Sequence, residues 1–294
     1  MKVGLQIPAF DVPGGPAAIG PTLARIVRIA DDVGFDSIWV MDHFFQIRGV
    51  GPVTDPMLEG WTTLGFLAAN TSAARLGLLV GGVHYRQPAL WIKAATTLDV
   101  LSGGRAWLGI GAAWNEQESR GLGFPFPPLA ERFELLEDVL RMAHAMWAGE
   151  RGTDAPFTGH HVQAGRMLNV PAPISRPHPP IMVGGGGERK TLRLVAQYAD
   201  ACNVFGGPEG IHRKYEVLHE HCLAVGRPYE EIERSTLQGA DMTPAGAADA
   251  GRLVDRFGDL ADAGAQHVIL SPHAIDPATL ERMGAAIVPQ LRSL

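Results

Sequence analysis

The chain reads as α/β, a (β/α)8 TIM barrel with an insertion between its fourth helix and fifth strand. Two observations carry this. Eight short apolar runs alternate with eight longer amphipathic ones in unbroken order. The short runs are nearly continuous in apolar residues, as parallel strands buried on both faces are, and parallel strands need helical crossovers. A doubly wound sheet would carry a glycine fingerprint after its first strand, and here that strand is followed only by "AFDVPGGP".

Strands are expected at residues 3–8, 36–41, 75–80, 105–111, 180–183, 201–205, 234–240 and 266–270. Helices are expected at 19–33, 59–70, 88–101, 129–147, 188–198, 208–225, 247–263 and 277–288. Proline opens the helices at 88, 208 and 277, where its missing N–H costs nothing. Residues 148–179 are proline-rich without a helical period, and "FTGHHVQA" within them reads as a small hairpin. The barrel pattern resumes directly afterwards, so this is an insertion within one domain spanning 1–294.

At 294 residues and 46% hydrophobic, the chain can bury one large core. The net charge of −6 and the lack of a basic run argue against nucleic acid. No apolar run reaches 18 residues, and Pro8 and Asp11 interrupt the N-terminal one, so neither a membrane span nor a signal peptide is expected. Cys202 and Cys222 give no disulfide framework. The expectation is a soluble cytoplasmic protein.

In a barrel of this kind the active site lies at the C-terminal ends of the strands. The second strand ends "SIWVMDHFF", placing Asp42 and His43 at the mouth. Either Asp42 caps the next segment and His43 is a rim histidine, or both act in the site. The third strand ends in "LLVGGVHYRQP", where Gly81 and Gly82 allow a plain turn or close approach of a ligand. The fourth ends in "GIGAAWNE", a floor of small residues with Trp114, Asn115 and Glu116 just beyond.

The fifth strand ends in "GGGGERKT", a glycine turn before a helix N-terminus, which offers free N–H groups to a phosphate. A P-loop would need glycine where Arg189 stands, so nucleotide hydrolysis is disfavoured. No metal is expected. His219 and His221 are two apart on a helix and face different ways, and the first strand ends in "LQIP" rather than paired histidines. No nucleophile elbow is present. The mouth suits a planar, phosphorylated cofactor better than a hydrolytic nucleophile, and a metal-dependent barrel hydrolase is the weaker reading.

"GFDSIWVMDHFF", "DPMLEGWTTLGFLAANTSAARLGLLVGGVHYRQPALWIKAATTLDVLSGGRAWLGIGAAWNE" and "RPHPPIMVGGGGERKTLRLVAQYADACNVFG" resemble the luciferase-like family of flavin- and deazaflavin-dependent oxidoreductases, closest to its F420-dependent branch. The resemblance runs to about Gly207 and continues more weakly beyond. It implies F420, or alternatively FMN, bound at the mouth with its phosphate on Gly185, Gly186 and Gly187. A cofactor-supporting bulge, often with a non-prolyl cis peptide, falls on Leu79, Val80, Gly81 and Gly82. Gly111, Ala112 and Ala113 face the cofactor. Asp42 and His43 match the Asp-His beside the redox ring, with His43 as proton donor and Asp42 orienting it or bonding the cofactor.

The chain departs from the sugar-phosphate dehydrogenases of that branch. It has no glutamate in "PAFDVPGG", and only Glu116 stands close behind the small residues of the fourth strand. Phe10, Phe44, Trp61, Tyr85 and Trp114, with Phe45, suggest a largely apolar substrate pocket. Arg86, Arg189, Lys190 and Arg193 could meet the polyglutamate tail of F420. The expected activity is hydride transfer between F420 and a small, largely apolar organic substrate. The alternatives are an FMN-dependent monooxygenase and a non-catalytic cofactor-binding protein. The expected partner is a small molecule, and the family resemblance adds a homodimer.

Overall fold

The computed structural model describes residues 1–241, 247–273 and 275–294. Eight strands form the barrel: β1 (Lys2–Ile7), β2 (Ser37–Val40), β3 (Arg75–Leu78), β4 (Leu108–Gly111), β5 (Ile181–Gly184), β6 (Ala201–Val204), β7 (Glu233–Gly239) and β8 (His267–Ser271). All pair in parallel, in the ring order β3-β2-β1-β8-β7-β6-β5-β4. A two-residue continuation of β3, Gly81–Gly82, pairs with the end of β4, and Leu76 bridges Ala106, which closes the ring. The predicted barrel is therefore present.

The helices are α1 (Pro16–Asp32), α2 (Gly60–Ala68), α3 (Pro88–Ser102), α4 (Glu116–Leu122), α5 (Leu129–Met146), α6 (Thr191–Tyr198), α7 (Pro208–Val225), α8 (Ala247–Asp262), α9 (Pro277–Ala286) and α10 (Val288–Arg292). Sequence reasoning missed α4, whose seven residues are too few to display a period. It also started α1 three residues late, because Pro16 opens that helix. Residues 188–190 form a turn rather than the start of α6. The last predicted helix divides at Ile287, just before Pro289, which has no N–H to carry the helical ladder through.

In the insertion, Phe157–Thr158 pairs antiparallel with Gln163–Ala164, the expected hairpin, and Gly152–Thr153 pairs with Met167–Leu168. Asp138 of α5 accepts the backbone N–H groups of His160, His161 and Val162 at 2.7–3.2 Å, tying the hairpin tip to the barrel.

The larger apolar cluster lies between barrel and helices, and a smaller one fills the lumen with Trp39, Leu79, Trp107, Met182, Ala201 and Ile269. Trp39 and Trp107 meet at 5.8 Å between ring centroids. Gly77 makes room for them: a Cβ there would lie 2.6 Å from Trp39 Cζ3.

Below this layer, the first residues of four strands form a polar relay. Lys2 Nζ reaches Glu233 at 2.5 Å, Glu233 accepts from His267 Nδ1 at 2.7 Å, and His267 Nε2 lies 2.9 Å from Ser37 Oγ. Ser37 Oγ also accepts from Trp39 Nε1 at 2.7 Å. The order Ser-His-Glu is that of a nucleophile triad. Ser37 and His267 are each only 1% exposed, at the end of the barrel that serves stability, so we read the relay as a structural floor.

Burial opposes ionisation of Glu233, but His267 and then Lys2 outweigh it and hold the carboxyl down at about 2. A folded-state value below the usual 4.5 gives stability that is complete above pH 4.5 and is lost as pH falls towards 2. The contribution is roughly 2–4 kcal/mol. Thermal melts between pH 6 and pH 3 should therefore show a steeper fall for the wild type than for Glu233→Gln; parallel curves would remove this account.

Candidate active site

The mouth is built from the residues that follow β2, β3, β4 and β5. Asp42 and His43 leave β2 together, but their side chains do different jobs. Asp42 is buried and takes the guanidinium fork of Arg86, with two bonds of 2.8 Å, and the N–H of Gly82 at 3.2 Å. Arg86 also pairs with Glu59, the N-cap of α2, and stacks 4.6 Å over Trp91. Burial opposes charge on Arg86, but Asp42 and Glu59 hold it above its usual range. Arg86 is thus committed inside the fold, and is not the free cation that sequence reasoning placed at a cofactor tail.

His43 turns the other way. Its Nδ1 lies 2.5 Å from Glu118 Oε1. Glu118, from α4, is fully buried and accepts three more bonds: Tyr85 hydroxyl at 2.5 Å, Phe44 N–H at 2.8 Å and Phe45 N–H at 3.2 Å. Burial alone would raise its pKa; the bonds from His43, Tyr85 and Phe44 outweigh it and keep the carboxyl ionised. An ionised carboxylate only accepts, so Nδ1 of His43 carries the hydrogen and Nε2 is left for a ligand. The orienting group for His43 is therefore Glu118, not Asp42.

Sequence reasoning weighed Glu116 and missed Glu118. Glu116 is exposed and bound to Arg120 at 2.5 Å. The signal that could have found Glu118 was a second carboxylate two residues on in a short helix, which is weak without knowing where that helix lies.

The indole of Trp114 stands edge-on to His43, with ring centroids 5.5 Å apart, and is 64% exposed. The residue before it, Ala113, has φ 61°, a left-handed conformation that alanine rarely adopts. Arg132 holds that loop, donating from Nη1 to Ala112 O at 2.9 Å and Ala113 O at 2.6 Å while stacking 4.0 Å over Phe126.

The other aromatic candidates are packing. Phe44 and Tyr85 form a cluster with Phe124 behind Glu118, at 5.0–5.2 Å between centroids. Trp61 packs against Trp91 at 6.0 Å. Phe10 is buried and lines a cavity at the exit of β1, shared with α1, with Val50 and Asp55 after β2 and with His273, Ile275 and Asp276 after β8. Of the five predicted pocket residues, Trp114 is the one that combines exposure with contact to His43. His84 is buried beside Tyr85 and bonded to Ser119 at 2.8 Å; burial, then Arg132, lower its pKa to about 4, so it is neutral.

The floor of the mouth is Val80. The peptide bond Leu79–Val80 is cis, and the Val80 methyls lie over Gly111 and Gly184: a Cβ at those glycines would come within 3.1 and 2.6 Å of Val80 Cγ2. Gly81 and Gly82 are buried; added Cβ atoms would strike Trp91 and Tyr85, so packing explains both glycines.

After β5, Gly185 has φ 122° and donates to Asn203 O at 3.0 Å. The N–H groups of Gly186 and Gly187 have no backbone acceptor among the described residues. A Cβ at Gly186 would lie 2.8 Å from Lys214 Nζ, and one at Gly187 would lie 2.8 Å from Thr191 Oγ1. These residues form a turn at the start of α6 with two N–H groups that the backbone does not use. Arg193 is turned to Glu137 at 3.4 Å and Lys190 lies over Phe133 at 5.3 Å, so neither is directed at this turn by its contacts. Arg189 is exposed.

The model for the luciferase-like monooxygenase family matches residues 1–266. The chain belongs to that family. Among its relatives is an F420-dependent glucose-6-phosphate dehydrogenase of Kineococcus radiotolerans, 34% identical over 221 residues, which cover 72% of this chain and 61% of that one. Another is a 5,10-methylenetetrahydromethanopterin reductase of Methanolobus tindarius, 25% identical over 271 residues, covering 90% and 74%. The fold is that of an F420-dependent secondary alcohol dehydrogenase solved with an F420-acetone adduct, at a TM-score of 0.81, 16% identity and 99% coverage of both chains. Among the described residues of this luciferase-like chain, no helix is long and apolar enough to cross a membrane, and no group of three or more His, Cys, Asp or Glu side chains is placed to hold a metal.

Removing the Glu118 carboxylate should unlock the mouth. Glu118→Leu leaves His43, Tyr85 and two backbone N–H groups without their acceptor and is expected to cost roughly 3–5 kcal/mol in urea unfolding. Glu118→Gln keeps acceptor capacity and should cost less. Equal stability of the leucine variant and the wild type would show that the carboxylate holds nothing.

Proposed function

We propose that the protein is an F420-dependent oxidoreductase, moving a hydride between the deazaflavin C5 and a small, largely apolar organic substrate seated beside His43. The observation that carries this reading is His43 itself: one ring nitrogen is locked by a buried carboxylate, the other is free, and an exposed indole stands against the ring. The F420-dependent relatives support the choice of cofactor.

The residues present fit that group. Val80, Gly111 and Gly184 offer a floor for a flat ring system, and the turn at 185–187 offers N–H donors that added Cβ atoms would crowd. When bound, F420 supplies two electrons as hydride at C5. The chain supplies the proton. His43 Nε2 gives a proton to, or takes one from, the reacting oxygen or nitrogen of the substrate. Glu118 fixes the tautomer and steadies the imidazole as its charge changes. Trp114 gives the substrate an apolar wall and sheds water from the same side.

The charge inventory favours a neutral substrate. Arg86 and Arg132, both close to these loops, are spent on Asp42, Glu59 and backbone carbonyls. Neither of these arginines is left to hold a sugar phosphate beside His43.

Titration of the apo protein with F420 and FMN separately, followed by fluorescence, tests the reading. Tight F420 binding with weak FMN binding is expected. The reverse preference would move the protein to flavin monooxygenation and make oxygen uptake the next assay. Once a substrate is found, His43→Ala should lower kcat by about 100- to 10,000-fold with F420 affinity nearly unchanged. Trp114→Ala should raise KM by about 3- to 10-fold and alter kcat less. A full-rate His43→Ala enzyme would end the proton-donor assignment.

A further inference from the structure

Lys214 lies on α7, outside every motif that the sequence brought to the mouth. Its ammonium nevertheless sits at the glycine turn after β5: Nζ is 2.8 Å, and Cε 3.0 Å, from the position a Gly186 Cβ would take. It is held there by one bond, to Phe205 O at 2.6 Å, at the exit of β6. An ammonium carries three donors. No carboxylate partners Lys214 among the described residues; the nearby Glu188 is engaged by Arg213, at 3.3 Å. Among the described residues, a cation without a counter-charge therefore stands at a turn whose N–H groups have no backbone acceptor.

We infer that Lys214 is the counter-ion of the cofactor phosphate, closing over the group that the N–H donors of Gly186 and Gly187 receive. This rests on the F420 reading. The chemistry recognised is a phosphate on a ribityl chain, which needs both directed N–H donors and a point charge. Lys214 reaches that position because β5 and β6 are neighbours in the ring, so that α7, which follows β6, lies beside the β5 exit. Two other contacts of α7 with the same turn, Arg213 with Glu188 and His221 Nε2 with Glu188 O at 2.8 Å, keep the helix against it. Glycine at 186 has a reason in this arrangement beyond turn geometry: it leaves the ammonium a direct line to the ligand.

The test is binding, with no turnover needed. Dissociation constants are measured by fluorescence for three ligands: F420, the same deazaflavin with its ribityl phosphate but no tail, and the phosphate-free deazaflavin. They are measured on wild type, Lys214→Met and Lys214→Arg. Lys214→Met should weaken the two phosphorylated ligands by about 10- to 100-fold and leave the phosphate-free ligand unchanged. Lys214→Arg should recover most of the loss. A Lys214→Met loss equal for all three ligands would make Lys214 structural, a loss confined to F420 would move its contact to the tail, and no loss would make it a bystander; each overturns the inference while leaving the F420 reading intact. Wild-type protein that binds none of the three overturns that reading and this inference with it.

Discussion

One buried carboxylate organises the catalytic end of the barrel. Glu118 accepts four hydrogen bonds, two on each oxygen, from a side chain and two backbone groups after β2 and from a hydroxyl after β3. Four is the full acceptor capacity of a carboxylate. A charged group taken out of water is tolerable only on such terms, since each unmet lone pair would add to the desolvation cost. The consequence is positional. Three loops that leave different strands cannot shift independently, and His43 has one tautomer and one ring orientation. Asp42 does the complementary work one residue earlier, locking Gly82 and Arg86 to the end of β2. Adjacent residues thus tie the end of β2 to two different neighbours with opposite polarity: Asp42 is an anion facing a cation that follows β3, and His43 is a proton donor facing an anion that follows β4.

The barrel was legible because its signal is repeated. Eight runs, each too short to be decisive, agree on period and order, and errors at their ends do not accumulate. The mouth was legible only in part, and the division is physical. His43, Gly186 and Trp114 stand at strand exits, so topology alone puts them near the site. Glu118, Arg132 and Lys214 stand on helices, and they reach the mouth through tertiary packing that no local pattern encodes. Glu118 is the extreme case. A glutamate in a short polar helix reads as a solvated face, and only the fold shows that it is fully buried. The aromatic residues failed in the other direction. Five were grouped by type, but Tyr85 and Trp61 pack against other aromatic rings while Phe10 lines a cavity at the exit of β1, and composition cannot tell these uses apart.

The two ends of the barrel show the same chemistry under different access. At the floor, Glu233 holds His267, which meets Ser37, and the chain of bonds ends in a tryptophan N–H donated to the serine oxygen. Both ring nitrogens of His267 are engaged and Ser37 is almost fully buried, so the relay joins four strands. At the mouth, Glu118 holds His43 in a comparable grip, but among the described residues the second ring nitrogen of His43 has no partner, and an exposed indole marks the approach. A carboxylate–imidazole pair is structural or chemical according to whether the far nitrogen is consumed.

The same reasoning sorts the cations. Arg86 meets two carboxylates, Arg132 three carbonyls and an aromatic ring, and Arg193 a glutamate. Each is accounted for by the fold that holds it, and each therefore has little to offer a ligand. Lys214 is different in kind: its one acceptor is a carbonyl, it keeps two donors in hand, and it borders backbone N–H groups in the same condition. These donors are half-buried or exposed, so water can complete them, and an anion arriving there meets both directed N–H groups and a point charge. With Arg86, Arg132 and Arg193 held by other groups, Lys214 is the cation that stands at this turn, which is why the phosphate is placed against it.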